Sequence, residues 1–208
     1  MTSRREREKE ERRNYILLKA QTLFADKGYL HTSMAEIAEA SEFAVGSLYS
    51  FFNSKDEILS TIFEHHIEHV ISEVEQIHEN QEFNSREKIE SILEALVRIY
   101  VDNQDFFRIY IAEARGVEWG VRTEVGEYIH NGTVRYLDVL SKCFNRAIDD
   151  GLIDSDLDPE FLALLLRSFI HSTVTHLIYS SRNYMVEDLL PIVKKVLFDG
   201  ILMNGKNE

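Results

Sequence analysis

Apolar residues return every three or four positions along almost the whole chain, and strict alternation is hard to find. A chain patterned in this way buries its apolar side by packing helix on helix. Nine Gly and two Pro among 208 residues agree, because a turn-rich β protein uses many more. The spacing therefore predicts an all-α protein of about nine helices. An apolar share of 44% is enough for a sizeable core and excludes disorder over the whole length. The lone Cys143 excludes a disulfide scaffold and reads as a small core residue. No stretch approaches the roughly 20 apolar residues of a membrane span. The opening Met1-Thr2-Ser3-Arg4-Arg5-Glu6-Arg7 is too charged for a secretory segment, so a cytoplasmic location without a membrane partner is expected.

The first periodic segment runs from about Arg12 to Lys27 and stops at Gly28, with Ile16, Ala20, Leu23 and Phe24 on one face. Before it, the mixed charges of Arg4 to Arg7 read as a solvated end. Ser33 and Glu36 fit a capping box that opens a short helix, and Ser54 with Glu57 fits a second one opening a long helix to about Ile77. Between them, about Ala44 to Phe51 forms another short helix after a tight turn. Later helices are expected over about 85–103, 104–115, 124–150, 158–181 and 187–203, with Gly116 to Gly120 as a loop and Pro191 near a first turn.

Net charge is −13, which taken alone disfavours nucleic acid. Its distribution reverses that reading. Residues 1–55 hold 9 basic and 8 acidic residues, whereas residues 56–208 hold 14 and 28, a net of −14. Such asymmetry suggests two parts with different partners. Two short helices behind a longer one also form the helix-turn-helix arrangement, whose second helix fits the DNA major groove.

The run Phe24-Ala-Asp-Lys-Gly28-Tyr29-Leu-His-Thr32-Ser33-Met-Ala-Glu-Ile37-Ala38-Glu-Ala40 continues into Gly46-Ser47-Leu48-Tyr49-Ser-Phe51-Phe52-Asn-Ser54-Lys55-Asp56-Glu57-Ile58-Leu59. Over roughly residues 12 to 62, in order and without a gap, this resembles the DNA-binding domain of the TetR family of transcriptional regulators. The resemblance implies a DNA-binding domain over 9–69 and a ligand-binding and dimerisation domain over 70–208. It also implies phosphate contacts from Thr32, Ser33, Tyr49 and Lys55. A recognition helix would carry Ala44, Val45, Gly46, Ser47, Tyr49 and Ser50, with Val45 and Ser50 at the sequence-determining places. The turn departs from the family pattern: Glu42 stands for a glycine, Phe43 for a smaller aliphatic and Ala44 for a capping serine. Glu42 at a left-handed position costs on the order of 1 kcal/mol, and the missing cap about 1 kcal/mol more. A turn rebuilt around Ser41 is the alternative.

The last two helices are apolar nearly all round, through Phe161, Leu165, Phe169, Leu189, Val193 and Leu197. A terminal helix with apolar residues on both sides has a second burial partner, and a two-fold homodimer supplies it. The resemblance implies the same interface. Aromatic residues cluster between about 63 and 140, which suits a small apolar ligand or ordinary packing. The resemblance implies an inducer cavity there, with Phe63, Ile67, Tyr100, Phe107, Tyr110, Trp119, Tyr128 and His171 as candidate lining and Glu113 and Arg115 as polar contacts. The acidity of this part favours a neutral apolar or cationic effector. His65 and His69, four apart on one face, have the spacing of two zinc ligands, but no second ligand pair lies near in sequence, and a polar helix face is the simpler reading. No catalytic set, metal or cofactor is expected. The function expected is a dimeric repressor that binds a palindromic operator and is released by a small molecule. A helical carrier or enzyme of the same architecture is the alternative.

Overall fold

The computed structural model describes residues 3–118, 124–179 and 186–199. They form nine α-helices and no strand: α1 (Arg4–Lys27), α2 (Met34–Ala40), α3 (Val45–Leu48), α4 (Lys55–Glu79), α5 (Ser85–Asp102), α6 (Gln104–Glu118), α7 (Glu124–Asp149), α8 (Pro159–Tyr179) and α9 (Val186–Lys194). A π-helical turn, Lys195–Asp199, continues α9. No described helix is long and apolar enough to cross a membrane.

Several features differ from the sequence expectation, among them α3, which spans only Val45–Leu48 and does not reach Phe51. Helix α1 begins eight residues earlier, because Ser3 and Glu6 close a capping box and Arg4 pairs with Glu8. Hydrophobic spacing cannot show a helix turn that has no apolar side. Gly116 to Glu118 continue α6 instead of looping. Pro191 lies inside α9, past its first turn.

Two compact units result, Met1–His69 with Asn103–Val134, and Val70–Asp102 with Arg135–Glu208. Helix α4 runs unbroken from residues of the first into residues of the second. In the first unit, Ile16, Ala20, Phe24, Ile37, Leu48, Phe52, Ile58 and Phe63 are buried together as its core. Gly28 ends α1 at φ 84°, where a side chain would be strained, and donates its N–H to the Phe24 carbonyl at 3.0 Å. Helix α7 approaches α4 so closely that a Cβ on Gly132 would lie 2.4 Å from Ile67 Cγ2. The second unit has its own core of Val74, Ile92, Leu93, Leu96, Leu140, Cys143, Leu166 and Val193, with α8 and α9 both packed on α5. Burial pushes the Cys143 thiol up to about 11 while its Sγ lies 3.1 Å from His78 Nδ1, so it is an inert core residue.

Candidate DNA-reading surface

The surface is built by the capped start of α2 and by the turn that follows it. Ser33 Oγ accepts the Glu36 N–H at 3.3 Å, and Glu36 Oε2 accepts the Ser33 N–H at 2.8 Å, which closes the anticipated box. Lys27 reaches the same carboxylate at 2.8 Å. Hydrogen bonds from Lys27 and then Ser33 hold Glu36 down at about 2. Thr32 departs from its expected role: it is only 3% exposed, and its hydroxyl donates inward to the Gly28 carbonyl at 2.9 Å. Of the two residues at the start of α2, only Ser33 reaches the surface.

The turn keeps the left-handed register despite its substitutions. Glu42 adopts φ 61°, the N–H of Phe43 reaches the Ala38 carbonyl at 2.8 Å and that of Glu42 reaches Glu39 at 3.1 Å. These two bonds are the Schellman closure that glycine normally makes. Ala44 precedes α3 without any side-chain cap. Phe43 offsets part of the loss by packing edge-on against Phe51, ring centroids 5.8 Å apart. Ser41 is buried, its hydroxyl donating to the Ile37 carbonyl at 2.6 Å, so the rebuilt turn does not occur.

Beyond the turn, Leu48 is buried while Ala44, Val45, Gly46, Ser47, Tyr49 and Ser50 are all exposed. Val45 is 44% and Tyr49 50% exposed, high values for apolar and aromatic side chains on a short helix. Nothing lies within 4 Å of the place where a Gly46 Cβ would stand, so the chain's own packing does not demand glycine there. Ser50 Oγ donates to the Ser47 carbonyl at 2.6 Å, tightening the end of the helix.

Lys55 is engaged internally. Its ammonium donates to the Tyr29 and Thr32 carbonyls, both at 2.7 Å, and stands 4.2 Å from the Tyr29 ring centroid. Tyr29 in turn donates its hydroxyl to Asp56 Oδ1 at 2.5 Å. These bonds fasten the α1–α2 loop to the start of α4 and use two of the three ammonium N–H groups. Arg13 performs a similar task that the sequence reading missed. It donates to the Phe51 carbonyl at 2.8 Å and lies 4.1 Å above the Phe52 ring. A cation three residues before the buried Ile16 was the available signal.

The expected effector residues divide between the units. In the first, Phe63, Phe106, Phe107 and Tyr110 pack ring against ring, with Phe63 to Phe106 at 5.2 Å and Phe106 to Phe107 at 4.9 Å. Ile67 faces Gly132. Tyr128 is exposed, and its hydroxyl is pushed up by a hydrogen bond to Glu64. Tyr100 and His171 belong to the second unit and are partly buried. Trp119 and the side chains of Glu113 and Arg115 lie outside the described residues. A cavity of about 880 Å³ does open in the second unit, among His78, Phe83, Ser85, Lys88, Lys142 and Arg146, and no expected pocket residue lines it. His66, beside the His65 and His69 of the polar face, is packed: it stacks on Phe106 at 4.0 Å and lies 2.9 Å from Gln21 Oε1. Burial, with His69 and His65 adding to it, lowers its pKa to about 4. No group of three or more His, Cys, Asp or Glu among the described residues could hold a metal ion.

Of the residues expected at a subunit interface, Phe161, Leu165 and Leu197 are exposed, Phe161 by 56%. Val193 faces the core of its own unit, and Phe169 packs partly against that core, so neither belongs to the open face. Leu189 has its side chain outside the described residues. The exposed line on α8 is Phe161, Leu164, Leu165, Ser168 and Ser172, opposite the buried Ala163, Leu166, Ile170 and Val174.

Residues 16–62 match the family model described as bacterial regulatory proteins, tetR family. Over 186 residues the chain is 23% identical to the fatty acid metabolism regulator protein of Bacillus subtilis (strain 168), covering 89% of this chain and 93% of that one. The crystal structure of the transcriptional regulator FadR from Bacillus subtilis in complex with stearoyl-CoA aligns at a TM-score of 0.77 and 23% identity, over 91% of this chain and 99% of that chain. The structure of AibR in complex with isovaleryl coenzyme A and operator DNA aligns at 0.71 and 20% identity, over 90% and 98%. At such identities the structural likeness establishes the fold, and the matched segment supplies the DNA-binding head. With α2 and α3 set out as that head requires, residues 16–62 form a DNA-binding head of the tetR family of bacterial regulatory proteins, and the chain is a transcriptional regulator.

Proposed function

We propose that this regulator is a homodimeric repressor of a palindromic operator, released when an effector bearing an apolar acyl chain binds. The observation that carries the reading is the run Ala44 to Ser50, where every side chain but Leu48 is exposed on a short helix of a matched DNA-binding head. Val45, Gly46, Ser47 and Ser50 face base edges in this reading. Ser33, Tyr49 and the remaining N–H of Lys55 face phosphates, which position the protein without specifying sequence. Residues 9–69 hold the DNA-binding function, 70–208 the effector and dimer functions, and the protein works in the cytoplasm.

An acyl effector is supported by FadR with stearoyl-CoA and AibR with isovaleryl coenzyme A. An acyl thioester of coenzyme A satisfies the apolar expectation and departs from the cationic one. Helix α4 transmits the signal, since it runs unbroken from its start beside the DNA-reading turn into residues of the second unit. Its 25 residues span roughly 37 Å at about 1.5 Å per residue, so a small tilt changes the spacing of two heads that must enter successive major grooves. Calorimetric titration with stearoyl-CoA, with and without an operator fragment selected by the protein, tests the reading. Operator is expected to weaken ligand binding by the same factor as ligand weakens operator binding. Equal affinities in both titrations refute effector release.

A further inference from the structure

We infer that the first turns of α1 form a second DNA-binding element, a cationic ridge that grips the phosphate backbone beside the recognition turn. The inference rests on the chain's reading as a DNA-binding regulator. Residues 4–12 carry five basic and four acidic side chains, so their bare composition is close to neutral. The helix sorts them. Arg5, Lys9 and Arg12 stand eleven, seven and four residues before Ile16, within about 40° of one line along the helix at roughly 100° per residue. Glu6, Glu8, Glu10 and Glu11 all lie about 80° or more from that line. Ile16 is 0% exposed, so the line is the one that faces the core of the head. Past the end of the core the same face continues outward and becomes purely cationic.

Two further facts place and free this face. Arg13 is bonded to the Phe51 carbonyl at 2.8 Å, so the ridge begins at the turn that follows Tyr49 and Ser50. Arg4 pairs with Glu8 and Arg13 approaches Glu57, but among the described residues Arg5, Lys9 and Arg12 take part in no ion pair. The Ser3–Glu6 capping box holds the first turn helical, so these side chains are presented in order. Arg5 to Arg12 spans roughly 10 Å along the axis at 1.5 Å per residue. That length matches about three phosphates of one strand, spaced 3.4 Å along the duplex axis. Unpaired cations at that spacing suit a polyanion, and backbone contacts are sequence-independent.

The test uses the full-length protein and a duplex enriched by it from a randomised pool. Salt dependence is measured for the wild type, Arg5→Gln/Lys9→Gln/Arg12→Gln, Arg12→Gln and Arg7→Gln, with helicity followed by circular dichroism. Each phosphate contact contributes about 0.9 to the slope of log affinity against log salt. Counted over both heads of the dimer, the triple variant is expected to lose about 5 from that slope, Arg12→Gln about 2, and Arg7→Gln, which lies off the ridge, almost none. Between 50 and 200 mM salt the deficit of the triple variant should then shrink roughly 1,000-fold. Equal slopes for the wild type and the triple variant overturn the ridge, as would an equal effect of Arg7→Gln and Arg12→Gln. A wild type that enriches no duplex sinks the DNA-binding reading itself, and the two failures are thereby distinguished.

Discussion

Glu42 holds φ 61° where the turn needs a left-handed residue, and the two Schellman bonds around it show that the tertiary fold imposes this on a residue that resists it. Glu42→Gly should therefore stabilise the protein by about 0.5–1 kcal/mol in denaturant melts, less than the full strain because glycine is freer when unfolded. Its DNA preference should not change, since the backbone stays as it is. A destabilised variant would mean that the glutamate side chain makes a contact worth more than the strain. His66 gives a pH signature of known sign. Its pKa is lowered to about 4 in the folded chain against 6.5 when free. The unfolded chain therefore takes up a proton first as pH falls. Stability from this residue is fully present above about pH 6.5 and is lost towards pH 4, by roughly 1–3 kcal/mol. Urea melts across that range should show the loss, and His66→Leu should flatten it. An unchanged profile in the variant would assign the effect to other groups.

At the scale of elements, the contrast between α3 and its surroundings separates reading from holding. Val45 has no internal task beyond its helix, so Val45→Ala should alter which sequences are selected from a random pool. Tyr49→Phe should weaken binding to all sequences alike. Lys55→Ala should do that and also lower stability by about 1–3 kcal/mol, because it leaves the Tyr29 and Thr32 carbonyls without their charged donor. A Lys55→Ala protein with wild-type melting would contradict the clamp. Helices α4 and α7 meet at Gly132, where an added methyl would lie 2.4 Å from Ile67 Cγ2. The β-branched Ile67 has little freedom to retreat. Gly132→Ala should cost about 1–3 kcal/mol by overpacking, against the gain that alanine gives an ordinary helix. Joint replacement with Ile67→Val, which leaves Cγ2 in place, should recover less than Ile67→Ala does.

For the whole molecule, the open line of Phe161, Leu164 and Leu165 runs into Ser168 and Ser172, small residues that let another helix approach. Leu165→Lys places a charge there without touching the monomer's core. Sedimentation should find a folded monomer, with operator binding lost at concentrations where the wild type is saturated, because burying the unpaired charge costs several kcal/mol. A stable dimer of the variant would move the interface elsewhere. Val193→Lys, by contrast, should unfold the second unit, since Val193 is part of its core.

The sequence by itself determined the helices that have an apolar side, the capping serines Ser33 and Ser54 though not Ser3, and the DNA-binding head. Each of these is written locally, in a spacing of three and four or in a side chain that bonds its own backbone. The resemblance marked Glu42 as standing where glycine is usual, with a turn rebuilt around Ser41 as the alternative, and the tertiary structure decided for the left-handed glutamate. The tertiary structure decided what each side chain is used for. Thr32 and Lys55 look alike from sequence as phosphate contacts, yet one is buried and the other is bonded to two carbonyls 26 and 23 residues away. His66 and His69 lie on one helix, but only His66 meets Phe106. Val193 and Leu197 share an apolar helix end, and only packing on α5 turns Val193 inward. Burial is set by what arrives from elsewhere in the chain, and hydrophobic spacing along one helix carries no record of that.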